Sequence, residues 1–441
     1  MASALRSRAR GRTEAASRFP SGRVADGSAS RARSPVTFQL RAHSGPHGAT
    51  RLRGLVLIEL AAALPLTAWV VDPVLVAPAA LAAAVLVLFA VVRRHRRPWS
   101  EWLVAAQGLR ARRDLAARSP VPPGTDPSFA PAVECDPALR TYACATRDRR
   151  QLGMVGDGTF VTAVLQIESD SAPLRDGRGQ RPLQLGLVRD TLEVDDIRLE
   201  SAQIVLHTQP APALHLPRES VAVSNYAPLH AQSGAPAVRI TWIALKLDPE
   251  LCPEAVAARG GGLLGAQRCL VRAVDHLASR LSGAGFRATP LSEEGLASAI
   301  ATSACANPLV TAEAGRAEEP PRRTEETPHA WRCDNRRHTS YWVRRWPRLG
   351  ETGDASLPRL VATLTAVPTL ATTFSLTLGR AERQEVALRG HVRVTGRSEA
   401  ELAAAREAVE RAARRTGTAL TRLDRQQLPG MLATLPLGGT R

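Results

Sequence analysis

Lysine is nearly missing from this chain. Of its 58 basic side chains, Lys246 is the single lysine and the rest are arginines. That one absence removes a large class of function. A Walker-type nucleotide loop needs a Lys followed by Ser or Thr, so that an ammonium and a hydroxyl reach phosphate and magnesium. Lys246 is followed by Leu247. Other signatures are missing too: there is no H-E-x-x-H, no G-x-S-x-G elbow and no C-x-x-C pair. Six cysteines, at 135, 144, 252, 269, 305 and 333, are scattered over 441 residues. Their spacing argues against a zinc site and against a disulfide framework, and predicts reduced, buried thiols in a cytoplasmic domain. Aromatics make up only 4% of the chain.

Arginine is abundant instead, in the company of Ala, Leu and Val. Arg for Lys in an Ala-rich chain follows from a GC-rich genome, so Arg content by itself carries little functional weight. Where the charge lies is more telling. The formal net charge is +17, and residues 1–98 carry 15 Arg against four acids, Glu14, Asp26, Glu59 and Asp72. Most of the excess therefore lies beside the strongest signal in the sequence, a pair of apolar runs.

Those runs cover residues 54–71, GLVLIELAAALPLTAWVV, and 74–92, VLVAPAALAAAVLVLFAVV. A bilayer core about 30 Å thick needs about 20 apolar residues in a helix. Asp72-Pro73 between the runs is a turn signal, because Pro breaks a helix and restricts the residue before it. The sequence thus predicts a transmembrane hairpin within residues 51–97. Arg51 and Arg53 precede it; Arg93, Arg94, Arg96 and Arg97 follow it; the turn has no basic residue. Positive residues stay on the cytoplasmic side, which predicts a multi-pass plasma-membrane protein with both termini inside. Pro65 and Pro78 are tolerable as kinks. Glu59 can pair with a partner subunit or snorkel to the interface, and both readings stay open.

Residues 1–50 read as a disordered basic tail. Residues 98–131 read as an amphipathic juxtamembrane helix, N-capped by Ser100, followed by a Pro-rich linker. Trp99 and Trp102 suit the bilayer interface there. From residue 132 a mixed α/β domain is expected, in a first part over 132–309 and a second over 338–441. Residues 310–337, rich in Glu, Arg and Pro, read as a mobile insertion. Strands are predicted around Gly156-Asp157-Gly158 and at SAQIVLHTQ, AVRITWIALKLDP, FRATPL, HTSYWVRRW, ATTFSLTLG, EVALRGHVRVT and TALTRL. Residues 180–196 read as a helix. So do 263–282, where Leu270, Val274, Leu277 and Leu281 recur at helical spacing. Ser398 to Glu401 is a capping box that opens another helix. A faint internal repeat sets Trp242 on Phe374, Leu291 on Leu423, Leu296 on Leu428, Ile300 on Leu432 and Ala301-Thr302 on Ala433-Thr434, with Ser292 and Asp424 at equivalent N-cap positions. Two similar half-domains or two unrelated αβ units of similar order both fit it.

Candidates for chemistry are few. The stretch AARGGGLLGAQR, residues 257–268, lacks the Lys-Ser/Thr of a phosphate loop; an anion at its helix start, near Arg259 or Arg268, is the functional reading and a flexible bend is the plain one. Glu193, Asp195 and Asp196 form the best acidic cluster, and either bind a divalent ion or mark an exposed helix end. The basic stretch RRHRRPW abuts an apolar run, where orientation and lipid head groups explain it; no nucleic-acid partner is expected.

The stretch TWIALKLDPELCPEAVAARGGGLLGAQRCLVRAVDHLASRLSGAGFRATPL, residues 241–291, resembles the EccE family of actinobacterial type VII secretion systems. The residues that carry the resemblance are Trp242, the turn at Asp248-Pro249, Gly260 and Gly261, and Gly265 to Arg268. The resemblance implies a two-helix anchor followed by a cytoplasmic α/β domain. It implies a non-catalytic structural subunit without cofactor or metal, in a membrane complex with EccB, the ATPase EccC, EccD and the mycosin protease, held in the lipid bilayer. The family's cytoplasmic part has been compared in fold to glycosyltransferases, so the alternative is a membrane-anchored enzyme that uses a sugar nucleotide.

Overall fold

The computed structural model describes residues 47–439 except 73, 75, 92, 95–96, 147–148, 170–181, most of 211–237, 348–352 and 381–385. Residues 1–46 of the expected basic tail, and Arg96, lie outside the described residues, as do the side chains of Arg51, Arg53, Arg93, Arg94, Arg97 and Trp99.

The two apolar runs form helices α1 (His47–Val71) and α2 (Val76–Val91). They pack on each other, with Ala61 and Ala83 buried. The Asp72 carboxylate closes the turn by accepting from the Val74 N–H at 2.9 Å. The helix α2 is shorter than the apolar run that builds it; 16 residues rise only about 24 Å. Among the described residues no helix is long and apolar enough to cross a membrane. Two short strands, β1 (Arg93–Arg94) and β2 (Arg97–Pro98), lead into α3 (Trp99–Arg118). The helix already includes Ser100, so that residue is not its cap.

The rest is a mixed α/β structure dominated by one twelve-stranded antiparallel sheet. A first run of chain supplies β3 (Arg140–Ala145), β4 (Gln151–Gly156), β5 (Val161–Ser169), β8 (Ser201–Gln209), β9 (Val238–Leu247) and β10 (Phe286–Pro290). A second supplies β11 (Thr324–Glu326), β12 (Trp331–Cys333), β13 (Arg336–Arg345), β14 (Ala371–Arg380), β15 (Val386–Gly396) and β16 (Ala419–Arg422). The order across the sheet is β11-β12-β13-β15-β14-β8-β9-β5-β4-β3, with β10 on β5 and β16 on β13. A separate small hairpin, β6 (Glu193–Val194) and β7 (Ile197–Arg198), stands where part of a helix was expected; only α5 (Leu185–Asp190) is helical there. Asp195 at φ 53° makes that turn.

Helices cover both faces. Strand alternation sends one set of side chains to each side. On β9, Ile243, Leu245 and Leu247 face one layer, while Trp242, Ala244 and Lys246 face the other. The first layer is α7 (Gly262–Gly283), α10 (Gly353–Thr365) and α11 (Glu399–Arg415). Leu270, Val274, Leu277 and Leu281 of α7 are buried, as their spacing predicts. The helix α11 starts on the expected capping box: the Glu401 N–H donates to Ser398 Oγ at 3.2 Å, and the Arg397 N–H donates to the Glu401 carboxylate at 2.9 Å. The second layer is α4 (Ala130–Cys135), α8 (Glu293–Ser303), α12 (Gln427–Leu432) and the segment 433–439.

Both runs follow one path through the sheet. Val161 pairs with Leu247 in the first and Arg337 with Gly396 in the second. Ser201–Lys246 corresponds to Ala371–Thr395, and the short strands β10 and β16 sit on equivalent neighbours. The Leu291 N–H donates to the Val164 carbonyl at 2.9 Å, and the Leu423 N–H donates to the Ser340 carbonyl at 3.0 Å. Gly285 and Gly417, both at positive φ, end α7 and α11. The two runs join where β8 pairs with β14, and an approximate twofold passes between Val205 and Ser375. Leu291, Leu296 and Ile300 thus match Leu423, Leu428 and Leu432. Trp242 does not match Phe374, because β9 corresponds to β15 and Phe374 lies on β14. Asp424 is not the counterpart cap of Ser292; it is held by Arg422, and Gln426 precedes the helix.

The segment 310–337 differs from the expected mobile insertion. It contains the end of α9 (Pro308–Ala314) and two strands of the sheet. Its polarity is consumed internally. The buried Arg323 guanidinium donates to both Asp334 oxygens at 2.9 and 2.8 Å, to the Pro127 carbonyl and to Thr311 Oγ1. The buried Glu134 carboxylate accepts from the backbone N–H of Arg323 and Thr324 and from Thr324 Oγ1. Burial alone would lower the Arg323 pKa, but the hydrogen bonds and charge of Asp334 outweigh it and hold it above the usual value.

Near the twofold the second face is polar as well as buried. His207 Nδ1 meets Thr373 Oγ1 at 2.9 Å. Arg393, wholly buried, donates to Thr373 Oγ1 at 3.0 Å and contacts the Ser303 carbonyl and Met431 Sδ. Burial, with the positive Arg393 beside it, pushes the His207 imidazole down to about 3. His338 moves the same way for the same reasons. An unfolded histidine titrates near 6.5. The stabilisation from keeping His207 neutral is therefore full above pH 6.5 and is lost as pH falls from there toward 3. The unfolding free energy of the solubilised chain, measured by urea titration, should hold from pH 7.5 to about 6.5 and then drop toward pH 5 by about 1 kcal/mol per pH unit for each such histidine. His207→Gln should flatten that slope; an unchanged slope would refute the assignment.

Candidate functional site: a glycine elbow and the helix docked on the sheet edge

The residues that carry the family pattern, Trp242 excepted, come together as an elbow. Asp248, at the end of β9, accepts from the Glu250 N–H at 3.0 Å and starts a single helical turn at Pro249. Helix α6 (Pro253–Ala258) follows, then Gly260, Gly261 and Gly262 at φ 110°, 68° and 53°, and then α7. Only glycine takes three such φ values in succession without strain. Gly265 serves another need: a Cβ there would lie 2.2 Å from the Val256 carbonyl oxygen, so its absence lets α6 and α7 touch. Arg268 donates to the Arg259 carbonyl at 2.8 Å and ties the bend shut. Trp242 is buried on β9, its ring 6.2 Å from His207.

The acidic cluster faces this elbow. Arg259 holds Asp196 through two bonds of 2.8 and 2.7 Å, and Arg272 holds Asp195 at 2.9 Å. Glu193 lies within 3.7 Å of Arg198 and 3.8 Å of Arg380. Arg259 hydrogen bonding holds the Asp196 carboxyl below the usual range. The arginines therefore occupy the carboxylates that a divalent ion would need. Among the described residues no group of three or more His, Cys, Asp or Glu side chains is placed to hold a metal.

The second constellation was not visible in the sequence, because its members lie hundreds of residues apart. Helix α3 lies on the β11 edge. Arg112 donates to both Glu326 carboxylate oxygens, at 2.8 and 2.9 Å, and to the Arg425 carbonyl at 2.7 Å. Arg113 donates to the Glu326 carbonyl at 2.9 Å, and Arg322 reaches back to the Ala116 carbonyl. The Arg425 guanidinium sits 4.5 Å over the Trp102 ring, a cation–π contact with the domain. Ala105 and Leu109 are buried, while Leu103 and Val104 face outward. The Glu326 carboxylate also accepts from the Leu428 N–H at 3.0 Å, so one buried acid holds both α3 and the start of α12. A cavity of about 350 Å³ lies beside it, lined by Arg112, Arg113, Arg322, Glu326 and Trp331. The arrangement ties α3 to the β11 edge and to the start of α12. Its carboxylates and guanidiniums are spent on each other.

Two substitutions test these roles. Gly265→Ala should lower the unfolding free energy by about 1–3 kcal/mol, because a buried backbone contact must open; an unchanged urea midpoint would reject the close-approach role. Arg112→Ala should remove about 2 kcal/mol of charged hydrogen bonding and raise hydrogen exchange across residues 99–118. Exchange rates equal to those of the native chain would mean that α3 is held by something else.

Comparison with known proteins bears on the central segment. Residues 235–343 match the family model described as "Putative type VII ESX secretion system translocon, EccE". The resemblance seen over 241–291 thus holds across a longer stretch that includes the elbow, β11, β12 and most of β13. No curated protein matches the chain. Among solved structures, an alkyldihydroxyacetonephosphate synthase matches at a TM-score of 0.25 and 7% identity, over 59% of this chain and 40% of that one. The chain spans well under half of that synthase's length, and so low a likeness carries no argument.

Proposed function

We propose that this chain, whose central segment is of the EccE family, is a structural subunit of a type VII secretion complex in the plasma membrane. Its hairpin, 54–71 and 74–92, spans the bilayer with both termini in the cytoplasm. Its α/β domain docks on neighbouring subunits, for which EccB, EccC, EccD and the mycosin protease are the candidates. The family match supports the system. The observation that carries the anchor is the exposure of the hairpin: Leu60, Leu66, Trp69, Val70, Val71, Val74, Leu81, Val85 and Val87 all face outward, many of them more than half exposed. A contiguous apolar surface of this kind demands a nonaqueous partner. The helical length of α2 falls short of a full span, while the apolar run 74–92 is close in length to the about 20 residues that a span needs. The charge asymmetry of the flanking arginines sets the orientation.

The domain contributes rigidity and surface. The sugar-nucleotide alternative rests on Glu193, Asp195 and Asp196, whose pairing with arginines favours a structural role for them. Alkaline carbonate should leave the native chain in the membrane pellet. A cysteine placed at Asp72 in a variant lacking the six native cysteines should react with an impermeant maleimide from outside. In mild detergent the chain should co-migrate with the other secretion subunits. Migration alone, while those subunits stay together, would overturn the subunit role. Saturable binding of a nucleotide sugar that disappears in Asp195→Ala and Asp196→Ala would favour the enzyme instead.

A further inference from the structure

Glu59 lies on the wrong side of its helix to be satisfied within the hairpin. The side of α1 turned to α2 is Ala61, Leu64 and Ala68, buried or half-buried. Glu59, Ala62, Ala63, Leu66 and Val70 recur at helical spacing on the opposite side, and all are exposed. Thr67, the nearest other polar side chain, satisfies itself by donating to the Ala63 and Leu64 carbonyls at 3.1 and 2.9 Å. Glu59 makes no hydrogen bond or ion pair with another described residue. Along α2 the outward side chains Leu81, Val85 and Val87 are apolar. The outer face of α1 is therefore an apolar stripe with one carboxylate in it. Two alanines beside that carboxylate let another backbone approach closely.

We propose that this stripe is the contact surface for a transmembrane helix of a different chain, one that presents Arg, Lys or His at the depth of Glu59. The inference rests on the membrane-anchor reading above. Five residues of rise place Glu59 about 8 Å inside the start of the apolar run at Gly54. A carboxylate stem is short, and long basic side chains are the ones that reach the interface from such depth. Facing lipid, the charge would be uncompensated; facing a basic side chain, it is paired. A second copy of this chain does not meet the requirement, because a symmetric contact along the stripe sets carboxylate against carboxylate.

The test uses the full chain in its native membrane, with a photo-reactive residue at position 63 and, as a control, at position 83 on the buried side of α2. Irradiation should join position 63 to a transmembrane peptide of another protein that contains Arg, Lys or His within two turns of the adduct. Position 83 should give no such adduct. Glu59→Leu should cut the adduct roughly tenfold or more. Glu59→Gln, which keeps the shape and loses the charge, should cut it less. Carbonate resistance of both variants checks that the hairpin still inserts, and protease resistance of the domain checks folding. Adducts only with lipid, with a second copy, or with a transmembrane peptide lacking a basic residue would overturn the proposal, as would an adduct indifferent to both substitutions. Release of the native chain by carbonate would overturn the membrane reading and this inference with it, and is distinguishable from the other outcomes because it needs no variant.

Discussion

The domain is built on one ladder, the antiparallel pairing of β8 with β14. It joins the two runs of strands into a single sheet and buries the seam from both sides. Such a seam cannot be polar without being sealed. Gln203 donates to Ser375 Oγ and to the Ala433 carbonyl and accepts from the Gly438 N–H; Ser201 Oγ donates to the Gly438 carbonyl. The segment 433–439 is thus the cover of the seam. Unpaired, those groups would each cost about 1–3 kcal/mol. Gly438 and Gly439 are needed there because a Cβ would run into Lys246 or Thr377.

The same seam explains the cluster around Arg393. A buried cation without a carboxylate neighbour is expensive, and burial lowers its pKa to about 10. The nearby histidines are neutral, and the hydroxyl of Thr373 and the carbonyl of Ser303 accept from Arg393 Nη2, while its Nε is buried without a hydrogen-bond acceptor among the described residues. The cluster holds α8 and α12 against the sheet from both runs at once. It is fully buried between the sheet and those two helices.

Much of this was legible beforehand, for reasons that differ by element. Leu270 to Leu281 betrayed α7 because a long helix repeats its pattern many times. Ser398 and Glu401 marked the start of α11 because a cap is local chemistry. The strands of HTSYWVRRW and ATTFSLTLG were readable by composition. The segment 310–337 was not, since Thr324 to Glu326 is a three-residue polar strand whose stability comes from Glu134 and Arg323, far away or hidden by charge. The helix over 180–196 failed for a related reason: Asp195 adopts a left-handed turn that apolar periodicity cannot foretell. Of the site, Gly260 to Gly265 stood out in sequence as a bend, but that Gly265 in particular lets α6 touch α7 needed the Val256 carbonyl to be seen. Arg112, Glu326 and Leu428 could not be associated by any spacing rule.

The shared grip on Glu326 has a mechanical meaning. Helix α3 is about 30 Å long. Clamped by Arg112 and Arg113 well along its length, it works as a lever whose short arm ends on the same acid that carries α12. A tilt of about 10° at its anchored end displaces the clamp by several ångströms, more than a hydrogen bond tolerates. The joint between α3 and the domain can therefore be stiff or broken, with little between, so α3 and the sheet edge move as one body while the clamp holds.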